Sequence, residues 1–306
     1  MSQDKKAGPE YVSSGTFGCV MKPAVRCDKK TVSDKHVSKL FYNPDDAEEE
    51  VRNQKQINRI DPLAKFTIAL ADYCDIDADK YPIEKCDDTF YTARVPQMVY
   101  EYGGITLYKA SVQVPPRTLF ANMRPIFEGL VTLKKKRWVH IDIKPDNILY
   151  NLKKNKMVLI DYGTLTRFDK VYVDDNIDYF GTEYIYFPPE FRIFGWKAMT
   201  TRLFKNYSKI PVFLEATGYG NWVDEELLRT GSKQKATIPG RIDVYALGVT
   251  LLEILSLIWT RDNKAIPAKA TEKLMELVAC MIVINVNKRY TPEKALAHFD
   301  ELFPSF

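Results

Sequence analysis

The 306 residues, 45% hydrophobic and 27% charged, suffice to bury a core in one large domain or two lobes. A net charge of +4 is too small to announce a nucleic-acid binder, and three histidines argue against a His-based metal cage. Five cysteines (Cys19, Cys27, Cys74, Cys86, Cys280), an odd number without CxxC spacing, point away from both a disulfide framework and a zinc site.

In chain order, the polar start MSQDKKAGPE has no hydrophobic signal core, and nowhere do eighteen apolar residues run together. The expectation is an intracellular protein, cytoplasmic or nuclear, without a membrane span. Up to about residue 100, YVSSGTFGCVM, KHVSKLFY and VPQMVYEY read as strands and DDAEEEVRNQKQINRI as a helix. After Gly103 and Gly104 helical spacing takes over: Leu119 to Lys136, Ile242 to Leu257, Thr271 to Ile284 and Pro292 to Phe299. Two short apolar strands, Ile148 to Tyr150 and Met157 to Ile160, flank the turn NLKKNK. The basic run Lys134 to Arg137 falls at a helix C-terminus, where cations offset the dipole; a docking patch is the other reading. Residues 191–240 mix aromatics with polar residues at weak periodicity and read as an ordered insertion.

Several stretches can carry chemistry. Ser13-x-Gly15-x-x-Gly18-x-Val20 is a hairpin whose glycines would let backbone N–H groups approach a phosphate chain, or an ordinary two-glycine turn. Lys39, among apolar neighbours in HVSKLF, needs an anionic partner to offset its desolvation. Glu50 in the next helix is the candidate, on one face with Ile57, although Glu48, Glu49 and Glu50 also complement a helix N-terminus. HIDIKPDNIL gathers Asp142, Lys144 and Asn147, and Asp161 follows the second short strand as IDYG. Two carboxylates and an amide oxygen on adjacent loops could assemble Mg²⁺, a nucleotide phosphate and a hydroxyl nucleophile.

In this order the motifs resemble those of eukaryotic-type protein kinases over nearly the whole chain. Ser13 to Val20 resembles the glycine-rich loop, with Ser13 for its first glycine. Lys39 resembles the ATP-orienting lysine, Glu50 its helix partner, HIDIKPDN the catalytic loop, and Asp161-Tyr162-Gly163 the metal-binding segment. GTEYIYFPPE resembles the end of the activation segment, DVYALG the buried helix under the catalytic loop, and Arg289 the arginine that pairs with Glu190. The resemblance implies an α+β, bilobal fold: a β-rich lobe over residues 1–102 and a mainly helical lobe over 103–306. It implies ATP and Mg²⁺ as cofactors and protein hydroxyls as acceptors. Asp142 would be the catalytic base, Lys144 would steady the γ-phosphate, and Asn147 with Asp161 would hold the metal. Lys39, held by Glu50, would fix the α- and β-phosphates. Val20, Val37 and Leu149 would sandwich the adenine, with Tyr100 behind it and the backbone of Glu101 and Gly103 at its edge.

Lys144 and the Gly181-Thr182 pair resemble serine/threonine kinases, and the compact chain with divergent loops is similar to kinases of large DNA viruses. Ile141 stands where many kinases carry an arginine that binds activation-loop phosphate. Its loss implies activity independent of that phosphorylation. The 191–240 insertion could dock a protein partner or bury its aromatics against the lobe. Cys19 reads as a strand filler or an oxidation target. A pseudokinase scaffold and a small-molecule phosphotransferase are the alternatives; the former is opposed by Lys39, Asp142, Asn147 and Asp161, the latter by Gly181 to Glu190 with Arg289.

Overall fold

The computed structural model describes residues 8–27, 35–81, 83–86, 90, 92–171, 184–188, 239–283 and 286–302. The chain divides into two compact units, Met1–Gly103 and Gly104–Phe306. Gly181, Thr182, Glu190 and nearly all of the 191–240 insertion lie outside the described residues, and with them the expected Glu190–Arg289 pair.

The first unit is an antiparallel sheet of β1 (Glu10–Gly15), β2 (Gly18–Lys22), β3 (His36–Phe41), β4 (Leu70–Asp77) and β5 (Arg94–Glu101), ordered β1-β2-β3-β5-β4. Side chains alternate across a strand, so neighbouring residues of β3 feed opposite layers. Phe41 packs with Met98 against Ala47 and Val51 of the helix α1 (Pro44–Ile60). Leu40 joins Cys19, Met21, Ile76 and Val95 on the other face, covered by Tyr81, Ile83 and Phe90. The start of α1 is set locally: Asn43 accepts a bond from the Asp45 amide at 2.9 Å, Pro44 opens the helix, and Asp45 and Asp46 sit in its first turn.

The cysteines correct the sequence reading. Cys19 is bonded to Cys86 and Cys27 to Cys74, all within the first unit, and only Cys280 is free among the described residues. An odd count with irregular spacing cannot reveal these pairs, because each joins a strand cysteine, Cys19 of β2 or Cys74 of β4, to a loop cysteine 67 or 47 positions away. The buried amide of Gln97 donates to Cys27 Sγ at 3.5 Å, to Cys74 Sγ at 3.2 Å and to the Val25 carbonyl at 3.1 Å.

In the second unit, β6 (Ile105–Thr106) leads into α2 (Leu107–Gln113), α3 (Pro116–Ala121) and α4 (Arg124–Lys135). The expected single helix from 119 to 136 is therefore two, parted at Asn122 and Met123 just ahead of Pro125, which cannot continue the hydrogen-bond ladder. The short strands β7 (Trp138–Val139), β8 (Ile148–Asn151), β9 (Lys156–Leu159) and β10 (Thr166–Arg167) surround the catalytic-loop sequence. Among the described residues three helices follow: α5 (Ile242–Arg261), α6 (Ala268–Met281) and α7 (Pro292–Asp300).

The stretch Pro239–Arg261 is long and apolar enough to cross a membrane, but 89% of its apolar window is buried inside the protein, which makes α5 a core helix. Gly248 lets α6 approach it: a Cβ there would stand 2.6 Å from Ile282 Cγ2 and 2.8 Å from Met281 Cβ. Lys134 of the basic run pairs with Glu293 of α7 at 2.7 Å, and Phe127 stacks on Phe299 between the same helices.

Candidate active site

In the first unit, the hairpin register sets Gly15 opposite Gly18, Ser14 opposite Cys19 and Ser13 opposite Val20. The two glycines have different reasons. Nothing lies within 4 Å of a Cβ built on Gly15, so its bare backbone faces open space that a ligand could approach. A Cβ on Gly18 would meet the Leu40 carbonyl oxygen at 1.9 Å, so that glycine is required by β3 packing whatever binds nearby. Val20 pairs with Lys39 and Lys39 with Met98 across β2, β3 and β5, and Val37 pairs with Tyr100. Lys39 thus lies on the face that carries α1, and its Nζ meets Glu50 Oε2 at 2.5 Å, with the Glu50 side chain 5% exposed. Of the three consecutive glutamates, Glu50 is the partner, buried on the helix together with Ile57. Tyr100 is half-buried beside Met98, its hydroxyl 3.3 Å from Met98 Sδ. Glu101 is the last residue of β5, and Gly103 ends the first unit.

In the second unit the catalytic-loop sequence hangs from α5. The His140 and Ile141 amides donate to the two oxygens of the buried Asp243 at 2.8 and 2.9 Å. Burial raises this carboxyl above its ordinary value, while the amide bonds pull the other way. His140 is fully buried; its Nδ1 accepts the Asp142 amide and its Nε2–H donates to the Ile160 carbonyl at 3.1 Å, which assigns the tautomer. Tyr162, the tyrosine of IDYG, is tolerated in the core because its hydroxyl donates to the Leu159 carbonyl at 3.0 Å while its ring meets His140.

Asp142 is the convergence point. Its Oδ2 accepts from Lys144 Nζ at 2.7 Å and from Asn147 Nδ2 at 2.8 Å. Asn147 Nδ2 also donates to the Asp142 carbonyl at 2.8 Å, so the amide's donor end is committed and its Oδ1 is the end left for a cation. Asp161 follows β9 with φ 63°, and the Ile160 amide ties the two segments by donating to the Asn147 carbonyl at 2.9 Å. An amide oxygen and a carboxylate are hard oxygen donors, which fits Mg²⁺ held by few protein ligands and completed by phosphates and water. Leu149 sits half-buried in β8, paired with Thr106 and Val158.

A model of the protein kinase domain matches residues 9–202. The chain belongs to the protein kinase family. Its β-sheet first unit and helical second unit are those of the α+β, bilobal kinase fold, and the match supports phosphotransfer by a kinase. The kinase match ends before α5, so the supports given by Asp243 and Arg289 rest on the structure alone. Arg289 is 1% exposed, donates to the Val283 and Arg241 carbonyls at 2.9 and 3.3 Å, and lies over the Tyr245 ring.

Ile141 is a core residue of this kinase. It packs with Val139, Val171, Phe187 and Ile242, and Phe168 and Tyr184 complete the cluster. Three tyrosines escaped the sequence reading. Tyr184 donates to Asp142 Oδ1, and Tyr108 and Tyr186 donate to the two oxygens of Glu253. Burial pushes the Tyr186 phenol and the Glu253 carboxyl up. The only signal in the sequence was the spacing Tyr184-Ile185-Tyr186, and nothing in it names a carboxylate partner.

Proposed function

We propose that this kinase is a serine/threonine protein kinase that uses ATP and Mg²⁺, with Asp142 as the base for the acceptor hydroxyl. The observation that carries the reading is the asymmetric environment of Asp142. Two donors, from Lys144 and Asn147, hold Oδ2, while Oδ1 accepts only the Tyr184 hydroxyl among the described side-chain bonds, which leaves its second lone pair to orient an incoming O–H. Lys144 also brings positive charge to where the transferred phosphoryl group passes. Asn147 Oδ1 and Asp161 would hold the metal. Bound Mg²⁺ supplies charge compensation on the phosphates. In the first unit, Lys39 is oriented by Glu50, and Gly15 offers an unobstructed backbone. Val20, Val37, Tyr100 and Leu149 would line the adenine site, and Glu101 and Gly103 would present backbone groups. Because phosphoryl transfer needs mainly alignment and charge, losing Asp142, Lys144, Asn147 or Asp161 should slow chemistry more than it disturbs folding.

Serine and threonine are favoured as acceptors by Lys144 in DIKPDN and by Gly181-Thr182. Independence from activation-loop phosphorylation is favoured by Ile141, since an apolar side chain within a cluster with Val171 and Phe187 offers a phosphate no charge-assisted bond. The test is incubation with Mg²⁺ and labelled ATP on generic protein substrates, beside Asp142→Ala and Asp161→Ala variants, followed by phosphoamino-acid analysis. Equal incorporation by all three proteins would refute the catalytic assignment. A product that is mainly phosphotyrosine would refute the acceptor class, and loss of most activity after phosphatase treatment would refute independence from loop phosphorylation.

A further inference from the structure

Asp142 has a third side-chain donor from outside the catalytic-loop sequence. Tyr184, at the end of the activation segment, places its phenol on Oδ1, the oxygen left over by Lys144 and Asn147. A carboxylate turns broadly about its last torsion, so two donors on one oxygen fix that oxygen but leave the plane of the group loosely set. A donor on the other oxygen fixes the plane. Oδ1 has two lone pairs, and one phenol bond leaves the second for an acceptor hydroxyl.

The phenol is itself held. The Tyr184 ring meets Phe187 edge-on at 4.6 Å and Tyr186 at 5.2 Å, and Tyr186 is fastened to Glu253 of α5. Lys144 Nζ lies 5.6 Å from the Tyr184 ring centroid, so one cation serves both the ring and Asp142 Oδ2. A side chain that only plugged the site until substrate arrived would need freedom to leave. This one is seated in the apolar cluster around Ile141.

We propose that Tyr184 is a positioning residue of this kinase: its hydroxyl holds Asp142 Oδ1 in the plane from which the acceptor proton is taken. The inference rests on the proposed role of Asp142 as base. Tyr184 forms no bond to substrate; it narrows the range of orientations the carboxylate samples, and so acts on the chemical step rather than on substrate binding.

Tyr184→Phe keeps the ring and removes the donor. The expected result is a kcat lower by about tenfold, the worth of one hydrogen bond to a charged group, with the KM for a peptide substrate changed less than twofold. Replacing Tyr184 by 3-fluorotyrosine, a stronger donor of nearly the same shape, should restore kcat to the wild-type value or above, which a purely structural role for the ring would not do. Should Tyr184→Phe fail to fold, a series of fluorinated tyrosines at 184 carries the test through the dependence of kcat on donor strength. A kcat unaffected by Tyr184→Phe, a kcat/KM raised by it, or a flat fluorotyrosine series overturns the inference. Wild-type protein with no Asp142-dependent incorporation would instead remove the kinase reading beneath it, and the Asp142→Ala control separates the two failures.

Discussion

Reducing the two disulfides should remove most of the stability of the first unit. The Cys27–Cys74 bond closes a separation of 47 residues and lies inside the 67-residue separation closed by Cys19–Cys86. By the loss of chain entropy in the unfolded state, the inner bond alone is worth about 4 kcal/mol. With it formed, the outer bond closes a ring of only about 20 residues, from 19 to 27 and from 74 to 86, and adds about 3 kcal/mol. The pair together contributes about 7 kcal/mol, against a net stability of roughly 5–15 kcal/mol for a typical domain. Nesting leaves a signature: either double-serine variant, at 19 and 86 or at 27 and 74, loses about 3 kcal/mol, and removing the remaining bond then costs about 4 kcal/mol. Native-state hydrogen exchange of the β3 and β5 amides in the full chain measures this with and without reductant, and alkylation of the denatured protein counts free thiols by mass. The expectation is one alkylated thiol, Cys280, before reduction. Five alkylated thiols in the unreduced protein, or β3 and β5 protection indifferent to reductant, would refute the reasoning.

Asp243→Ala strips the acceptors from two buried amides, those of His140 and Ile141; urea denaturation should show a loss of roughly 2–6 kcal/mol, and a loss below about 1 kcal/mol would mean that water replaces the carboxylate. Glu253 gives a pH prediction. Burial raises its folded-state value, so the folded protein holds the extra proton, and the stability gained from that proton is present at low pH and lost as pH rises from the ordinary carboxylate range through the raised value. Glu253→Gln should flatten the melting-temperature curve over that window, and an unchanged slope would count against the buried carboxyl as its source. Lys39→Met deprives a 5%-exposed Glu50 of its cation and should cost the first unit about 3 kcal/mol. Adding Glu50→Gln should recover part of that loss, and a double variant worse than the single one in denaturant would contradict the pairing.

What the sequence disclosed was local or tightly spaced. Lys39 in an apolar strand, the charged cluster of HIDIKPDN, and the alternation of β3 each state their role within a few residues. β4 escaped notice because Asp72, Asp75 and Asp77 interrupt its apolar pattern, yet only Asp75 among them is exposed and the strand pairs with β5 along its length. The break between α3 and α4 was written in Pro125 but masked by apolar spacing that carries on across it. The cysteine pairs and the tyrosine–carboxylate bonds were illegible for a common reason. They join residues 42 to 145 positions apart, and which partners meet depends on strand register and helix packing rather than on spacing.

Ile141 has a φ of 72°, a left-handed backbone in which a β-branched residue costs roughly 1–2 kcal/mol. That cost is offset by the bond from the Ile141 amide to Asp243 together with packing among Val139, Val171, Phe187 and Ile242. The same surroundings make the position hard to reverse by mutation. A single change to arginine would keep the backbone strain, forfeit the apolar contacts and set a guanidinium among the apolar side chains of that cluster. A charged side chain at 141 is therefore compatible with this core only if neighbours such as Val171 or Phe187 change with it.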